Sequence, residues 1–171
     1  VEFDVKLTSD GHLVLMHDET LERTTDGKGP VAATSWSAIR KLDAGAWFGP
    51  AFAGERVPDL EETIALLGEL GLGANVEIKP CPGRERETGA AVAPALPRLW
   101  PRSLPPPVLS SFAEDSLAAA RDAAPAVLRG LLVTDIPPDW PARLAPLDCV
   151  SLHAGERQVL EPAVPAVKER G

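Results

Sequence analysis

Residues 1–18, VEFDVKLTSDGHLVLMHD, carry the decision about the fold. Val1, Phe3, Val5 and Leu7 alternate with Glu2, Asp4 and Lys6, which predicts a strand with one apolar and one charged face. Thr8-Ser9-Asp10-Gly11 is turn chemistry, with Gly11 free to take a positive φ. Leu13 to Met16 is a continuous apolar run, as in a strand buried on both faces, and it ends on His17-Asp18. Glu2, Asp4 and His17 are therefore expected to converge at one end of a sheet.

Working outward, the chain alternates strand-like and helix-like segments. Strands are expected at 74–79, 108–112, 128–134 and 149–153. A helix begins at Asp59, where Glu62 completes a capping box, and ends at Gly71 or Gly73. A short helix capped by Thr34 or Ser35 carries Trp36, Ile39 and Leu42 on one side. Further helices are expected at 113–124 and 160–170, with a proline-punctuated one between them. Residues 84–100 have helical composition, interrupted by Pro94 and Pro97. Asp43 to Val57 is a long glycine-rich loop bearing Trp47, Phe48 and Phe52, expected to fold back over something. Six strands separated mostly by helices predict a parallel α/β sheet. A doubly wound sheet satisfies that pattern. The opening on a strand and the stop after a helix at Gly171 favour instead part of a (β/α)₈ barrel, cut at both ends, with its first and last strands missing.

Composition bounds the function. The 171 residues amount to one domain, with 44% hydrophobic and 25% charged residues, ordinary for a globular protein. A formal charge of −8 leaves no basic stripe for nucleic acid. A phosphate-bearing substrate stays open, because a bound cation can reverse the local sign. Cys81 and Cys149 are too few for a disulfide scaffold, which points to a reducing, cytoplasmic setting. No apolar run approaches the roughly 20 residues of a membrane span.

Two charged pairs carry the chemical argument. Glu2 and Asp4 point the same way, about 7 Å apart along the strand, and could share a hard cation such as Mg²⁺ or Ca²⁺. Glu77 and Lys79 form a second same-face pair, a third carboxylate beside a cation for an anionic group. His17 at a strand end suits proton transfer. His153 also ends a strand, and Phe112 could wall a pocket. The plainer alternative leaves these charges in solvent and the histidines hydrogen-bonded to backbone. His12, in the turn, is expected to be solvated. Ser110 and Ser111 have no nucleophile elbow around them, and no glycine-rich nucleotide loop or zinc pattern occurs.

Taken in order, the motifs are Val1-Glu2-Phe3-Asp4-Val5, Thr8-x-Asp10-Gly11, His17-Asp18-x-x-Leu21-x-Arg23-Thr24-Thr25 and Val57-Pro58-x-Leu60-x-Glu62. Asn75-x-Glu77-Ile78-Lys79-Pro80 and Leu109-Ser110-Ser111-Phe112 follow. This series resembles the glycerophosphodiester phosphodiesterase family, cytoplasmic bacterial type. The resemblance implies a metal-dependent barrel enzyme that converts glycerophosphodiesters, such as glycerophosphocholine or glycerophosphoethanolamine, to glycerol 3-phosphate and an alcohol. It implies Glu2, Asp4 and Glu77 as ligands of Mg²⁺ or Ca²⁺, His17 as one of two catalytic histidines, and Lys79 as a phosphate contact. Residues 19–57 match the family's insertion near the active-site mouth. The family's His-Arg-Gly motif and Thr-Val-Asn-type strand end do not occur in the 171 residues. The 171 residues alone are therefore expected to be inactive. A lysophospholipase D-like barrel and a non-catalytic module that binds metal and glycerol phosphate are the alternatives.

Overall fold

The computed structural model describes residues 1–155 together with 157 and 165. Among these residues six strands form one sheet in the order β2-β1-β3-β4-β5-β6. They are β1 (Glu2–Leu7), β2 (Leu13–Leu15), β3 (Asn75–Ile78), β4 (Val108–Ser111), β5 (Leu128–Val133) and β6 (Ser151–Ala154). All neighbours are parallel except β1 and β2, which form an antiparallel hairpin. Gly11 at its turn has φ 78°, a value open to glycine at no steric cost. The helices are α1 (Trp36–Ile39), α2 (Leu60–Leu70), α3 (Glu85–Leu99), α4 (Glu114–Ala123) and α5 (Trp140–Leu144). A parallel sheet with crossover helices is the architecture of an incomplete α/β barrel. The helix expected over 160–170 lies outside the described residues.

Register separates the two faces of the sheet. Asp4 pairs with Glu77, Glu77 with Ser110, Ser110 with Gly130, and Gly130 with Ser151. Side chains at paired positions of parallel strands point the same way, so this row lines the face away from the helices. Gly130 sits where a Cβ would lie 2.6 Å from Ser151 Oγ and 2.7 Å from His153 Nε2, so the row is closed to a larger residue there. The alternate positions Val5, Val76, Ile78 and Leu109 pack with Leu60, Ile64, Val92 and Leu96 of α2 and α3. Burial of these side chains, at roughly 1.5–3 kcal/mol each, is what holds the helices to the sheet.

Three expectations are corrected. α3 runs unbroken through Pro94 and Pro97. Each proline removes a helical hydrogen bond, a cost of about 3 kcal/mol. Complete or near-complete burial of Val92, Ala93, Ala95 and Leu96 on that helix offsets it. His12 is not simply solvated: its Nε2 lies 3.0 Å from Asp59 Oδ2, and its ring stacks on Trp36 at 4.6 Å. Lys6 lies on the face of Glu2 and Asp4 but is not exposed: it is 1% exposed, and its Nζ donates to Lys79 O at 3.0 Å.

The capping box of α2 is present, with Asp59 Oδ1 accepting from Glu62 N at 2.8 Å and Glu62 reaching back to Asp59 N. α2 ends on Gly71. Residues 19–57 contain two short 3₁₀ turns and α1, and they bury their own apolar cluster. Leu21, Val31, Ile39 and Val57 pack there against Val14, Met16 and Cys81.

Candidate active site

The hairpin, not the end of β1, brings the site together. β1 continues three residues past Asp4, and β2 then runs back beside it, pairing Val5 with Leu15. Met16 N donates to Asp4 O at 3.1 Å, which returns the chain to the level of the carboxylates just before His17. β3 supplies Glu77 opposite Asp4, and Lys79 leaves the strand two residues on.

The carboxylates of Glu2, Asp4 and Glu77 each present an oxygen within 4.8 Å of the others. Lys79 Nζ lies 3.2 Å from Asp4 Oδ1 and 3.0 Å from Glu77 Oε1. The second contact is an ion pair without hydrogen-bond geometry, so Glu77 Oε1 is buried with no hydrogen bond. Partial burial, with Asp4 beside it, raises the Glu2 carboxyl above its ordinary value. Burial raises Glu77 too, against the opposing pull of Lys79. Burial works against the Lys79 charge, but Glu77 and Asp4 outweigh it and the ammonium titrates above its ordinary value. Three clustered carboxylates, an all-oxygen donor set, fit a hard divalent cation.

His17 is a shared wall of three cavities, of about 490, 380 and 350 Å³. The first also touches Lys79, Lys6 and Phe112; the second Glu2, Asp4, Arg23 and Trp47; the third all three carboxylates and His153. His17 Nδ1 lies 2.8 Å from Asp18 Oδ1. Asp18 is gripped in turn by Arg23, whose Nη2 donates to Oδ1 at 2.8 Å and whose Nε donates to Oδ2. The Arg23 guanidinium, with His17 second, holds the Asp18 carboxyl far below the usual range. An ionised carboxylate only accepts, so Nδ1 carries the proton and Nε2 is left free.

The other expected residues fall at the same mouth. Phe112 is 52% exposed on its rim. His153 Nε2 is 2.9 Å from Ser151 Oγ, and burial lowers its pKa. Ser111 is a strand latch: its Oγ donates to Ile78 O at 2.6 Å and accepts from Ala113 N. The sequence reading assigned no part to Lys6, Asp18 or Arg23. The Glu2-x-Asp4-x-Lys6 alternation was the signal for Lys6. For the clamp it was the His17-Asp18…Arg23 spacing. A cavity of about 570 Å³ lies elsewhere. It is walled by Trp100, Val127 and several prolines, and Arg102 is its one charged lining residue. It offers nothing for phosphoryl chemistry.

The profile of the glycerophosphoryl diester phosphodiesterase family matches residues 1–171. The chain belongs to that family. Its members are phosphoric diester hydrolases by name, and the relatives agree. The glycerophosphodiester phosphodiesterase of Caldanaerobacter subterraneus subsp. tengcongensis is 35% identical, covering all of this chain and 70% of that protein. Among solved structures, an Oleispira antarctica phosphodiesterase in complex with the product sn-glycerol-3-phosphate superposes with a TM-score of 0.94 at 40% identity. That match covers 100% of this chain and 69% of the other. The Agrobacterium tumefaciens glycerophosphodiester phosphodiesterase gives 0.74 at 30% identity, over 99% and 69%. This family member thus spans about 70% of the length of those relatives.

Proposed function

We propose that the site binds a divalent cation, Mg²⁺ or Ca²⁺, together with a glycerophosphodiester such as glycerophosphocholine or glycerophosphoethanolamine. It then takes part in hydrolysis of the diester to glycerol 3-phosphate and an alcohol. The observation that carries this reading is the placement of Lys79 Nζ between two of three clustered carboxylates, across one cavity from His17. The family membership and the glycerol-3-phosphate complex of the Oleispira relative support it.

Glu2, Asp4 and Glu77 would hold the cation, which supplies positive charge against the phosphoryl oxygens. Lys79 adds a second positive group on the same side and fixes the phosphate. His17 holds or takes a proton at Nε2, with Asp18 and Arg23 keeping the imidazole oriented. The proton comes from the attacking hydroxyl, either water or the substrate's own glycerol hydroxyl, or passes to the leaving alcohol. Phe112 forms an apolar wall and His153 a hydrogen-bonding one. Burial lowers the His153 pKa, which weakens that ring as a proton acceptor. We expect the 171 residues alone to be inactive, because they supply only one of the two catalytic histidines that the family resemblance implies.

The test measures glycerol 3-phosphate binding and glycerophosphocholine hydrolysis by this chain with Mg²⁺ or Ca²⁺. Cation-dependent product binding that is weakened about tenfold in Lys79→Met, without hydrolysis at ordinary enzyme rates, supports the reading. Cation-independent binding would sink the site. Hydrolysis at ordinary enzyme rates would sink the one-histidine account. Faster hydrolysis of lysophosphatidylcholine would favour the lipid-cleaving alternative.

A further inference from the structure

We infer that Lys6 is a positioning residue for Lys79, its buried ammonium fixing the backbone from which the Lys79 side chain reaches the carboxylates. Lys79 lies one residue past the end of β3 and directly before Pro80. Its amide still reaches β1, donating to Val5 O at 3.0 Å. Its carbonyl lies beyond the paired register, which ends with Val5 opposite Ile78. The Lys6 ammonium takes the place of a strand partner there, donating to Lys79 O at 3.0 Å. Val5 and Lys6 are consecutive on β1, so one strand holds both backbone polar groups of Lys79. From β4, Ser111 Oγ donates to Ile78 O at 2.6 Å and holds the preceding carbonyl.

The side chain that leaves this anchored backbone ends 3.0 Å from Glu77 Oε1 and 3.2 Å from Asp4 Oδ1. A backbone shift of about 1 Å would carry both contacts to the limit of an ion pair. Misplacement on that scale is costly wherever a charge must meet a bound group. Pro80 offers no N–H and biases the residue before it toward extended backbone, but it does not engage the Lys79 carbonyl.

Packing does not account for Lys6. It is 1% exposed, and burying an ammonium costs free energy that an apolar side chain would avoid. Direct contact with a ligand does not account for it either. Lys6 and Lys79 both line the cavity of about 490 Å³, but the Lys79 side chain is 26% exposed and Lys6 is covered. The influence of Lys6 therefore passes through Lys79. The inference rests on the phosphate contact proposed above for Lys79.

The test compares the wild-type chain with Lys6→Met, Lys79→Met and the double variant. Methionine keeps the stem of the lysine and removes its donor. Lys6→Leu replaces it should circular dichroism show that Lys6→Met does not fold. Without ligand, the hydrogen-exchange protection factor of the Lys79 amide should fall at least about fivefold in Lys6→Met while the amides within β3 keep theirs. With Mg²⁺ or Ca²⁺ present, calorimetry should show glycerol 3-phosphate binding about fivefold or more weaker in Lys6→Met. Adding Lys6→Met to Lys79→Met should weaken it no further. Cation affinity measured without glycerol 3-phosphate should be retained or tighter in Lys6→Met. Unchanged protection of the Lys79 amide overturns the inference. So does weakening that persists in the Lys79→Met background, which would make Lys6 a direct contact. So does joint loss of cation and glycerol 3-phosphate, the mark of a merely structural role. A wild-type chain that binds no glycerol 3-phosphate sinks the function proposed above, and a fall in Lys79 protection would in that case still support Lys6 as the anchor of Lys79.

Discussion

Lys79 Nζ lies 3.0 Å from Glu77 Oε1, and the same ammonium lies 3.2 Å from Asp4 Oδ1. A cation already sits where a divalent ion's charge would act. Removing it leaves three carboxylates that repel one another. Lys79→Met should therefore tighten Ca²⁺ or Mg²⁺ binding, on the order of tenfold, while weakening glycerol 3-phosphate binding by a similar factor. Calorimetric titration of each ligand separates the two effects. Loss of both affinities together would mean that Lys79 shapes the site rather than competing in it.

The Asp18–His17 contact makes a prediction about tautomers. With Asp18 ionised and clamped by Arg23, the His17 ring should carry its proton on Nδ1. Nitrogen-15 NMR of the ring should show that form in the wild type. Asp18→Asn, which can donate as well as accept, should reduce the bias. An Nε2-protonated ring in the wild type would contradict the orientation assigned to His17.

Acid should loosen the aromatic loop before it unfolds the chain. Backbone N–H groups of Ala46, Gly45 and Gly54 hold the Asp43 carboxyl below its ordinary value. A carboxyl depressed in the folded state stabilises it above the unfolded-state pKa, and that contribution is lost as pH falls through the lower, folded value. The hydrogen-exchange protection factors of Gly45, Ala46 and Gly54, rates taken relative to an unfolded peptide at the same pH, should fall across that window. Asp43→Asn should exchange fast at neutral pH and lose the pH response. Protection factors that stay flat down to global unfolding would refute the role of Asp43.

Arg129, 1% exposed, donates to the carbonyls of Leu147, Pro125, Val127 and Asp148 and pairs with Asp148 Oδ2 at 2.8 Å. It ties the start of β5 to the segment that leads into β6. Arg129→Met keeps the volume but strands those acceptors. The cost should be about 3 kcal/mol or more, read as a lowered denaturation midpoint with an unchanged slope. A loss below about 0.5 kcal/mol would show that water replaces the guanidinium without penalty.

What could be read from residues alone follows physical lines. Period-two alternation gave β1 and β3, because those strands have a helix-facing side that must be apolar. Asp59 and Glu62 gave the start of α2, because a capping box is local. Same-face spacing offered Glu2, Asp4 and Glu77 as candidates, the family resemblance named them as ligands, and the sheet register brings them together. The continuity of α3 was not legible, because burial of Val92 and Leu96 is a tertiary gain that local proline rules omit. The environments of Lys6 and His12 were missed for a related reason. Lys6 is defined by the backbone of Lys79, 73 residues away, and His12 by Asp59, 47 away. The Asp18–Arg23 clamp was present in the sequence only as the His17-Asp18…Arg23 spacing, and its pairing needed the side-chain geometry of a loop, which has no period to read.

The most direct test of the account is calorimetric titration of Ca²⁺ and of Mg²⁺ into the wild-type chain, Asp4→Asn and Glu77→Gln. The account predicts saturable binding to a single class of site for at least one of the two ions, and loss of that binding in both folded variants. Wild-type binding that survives both substitutions would contradict it, as would the absence of binding by either ion.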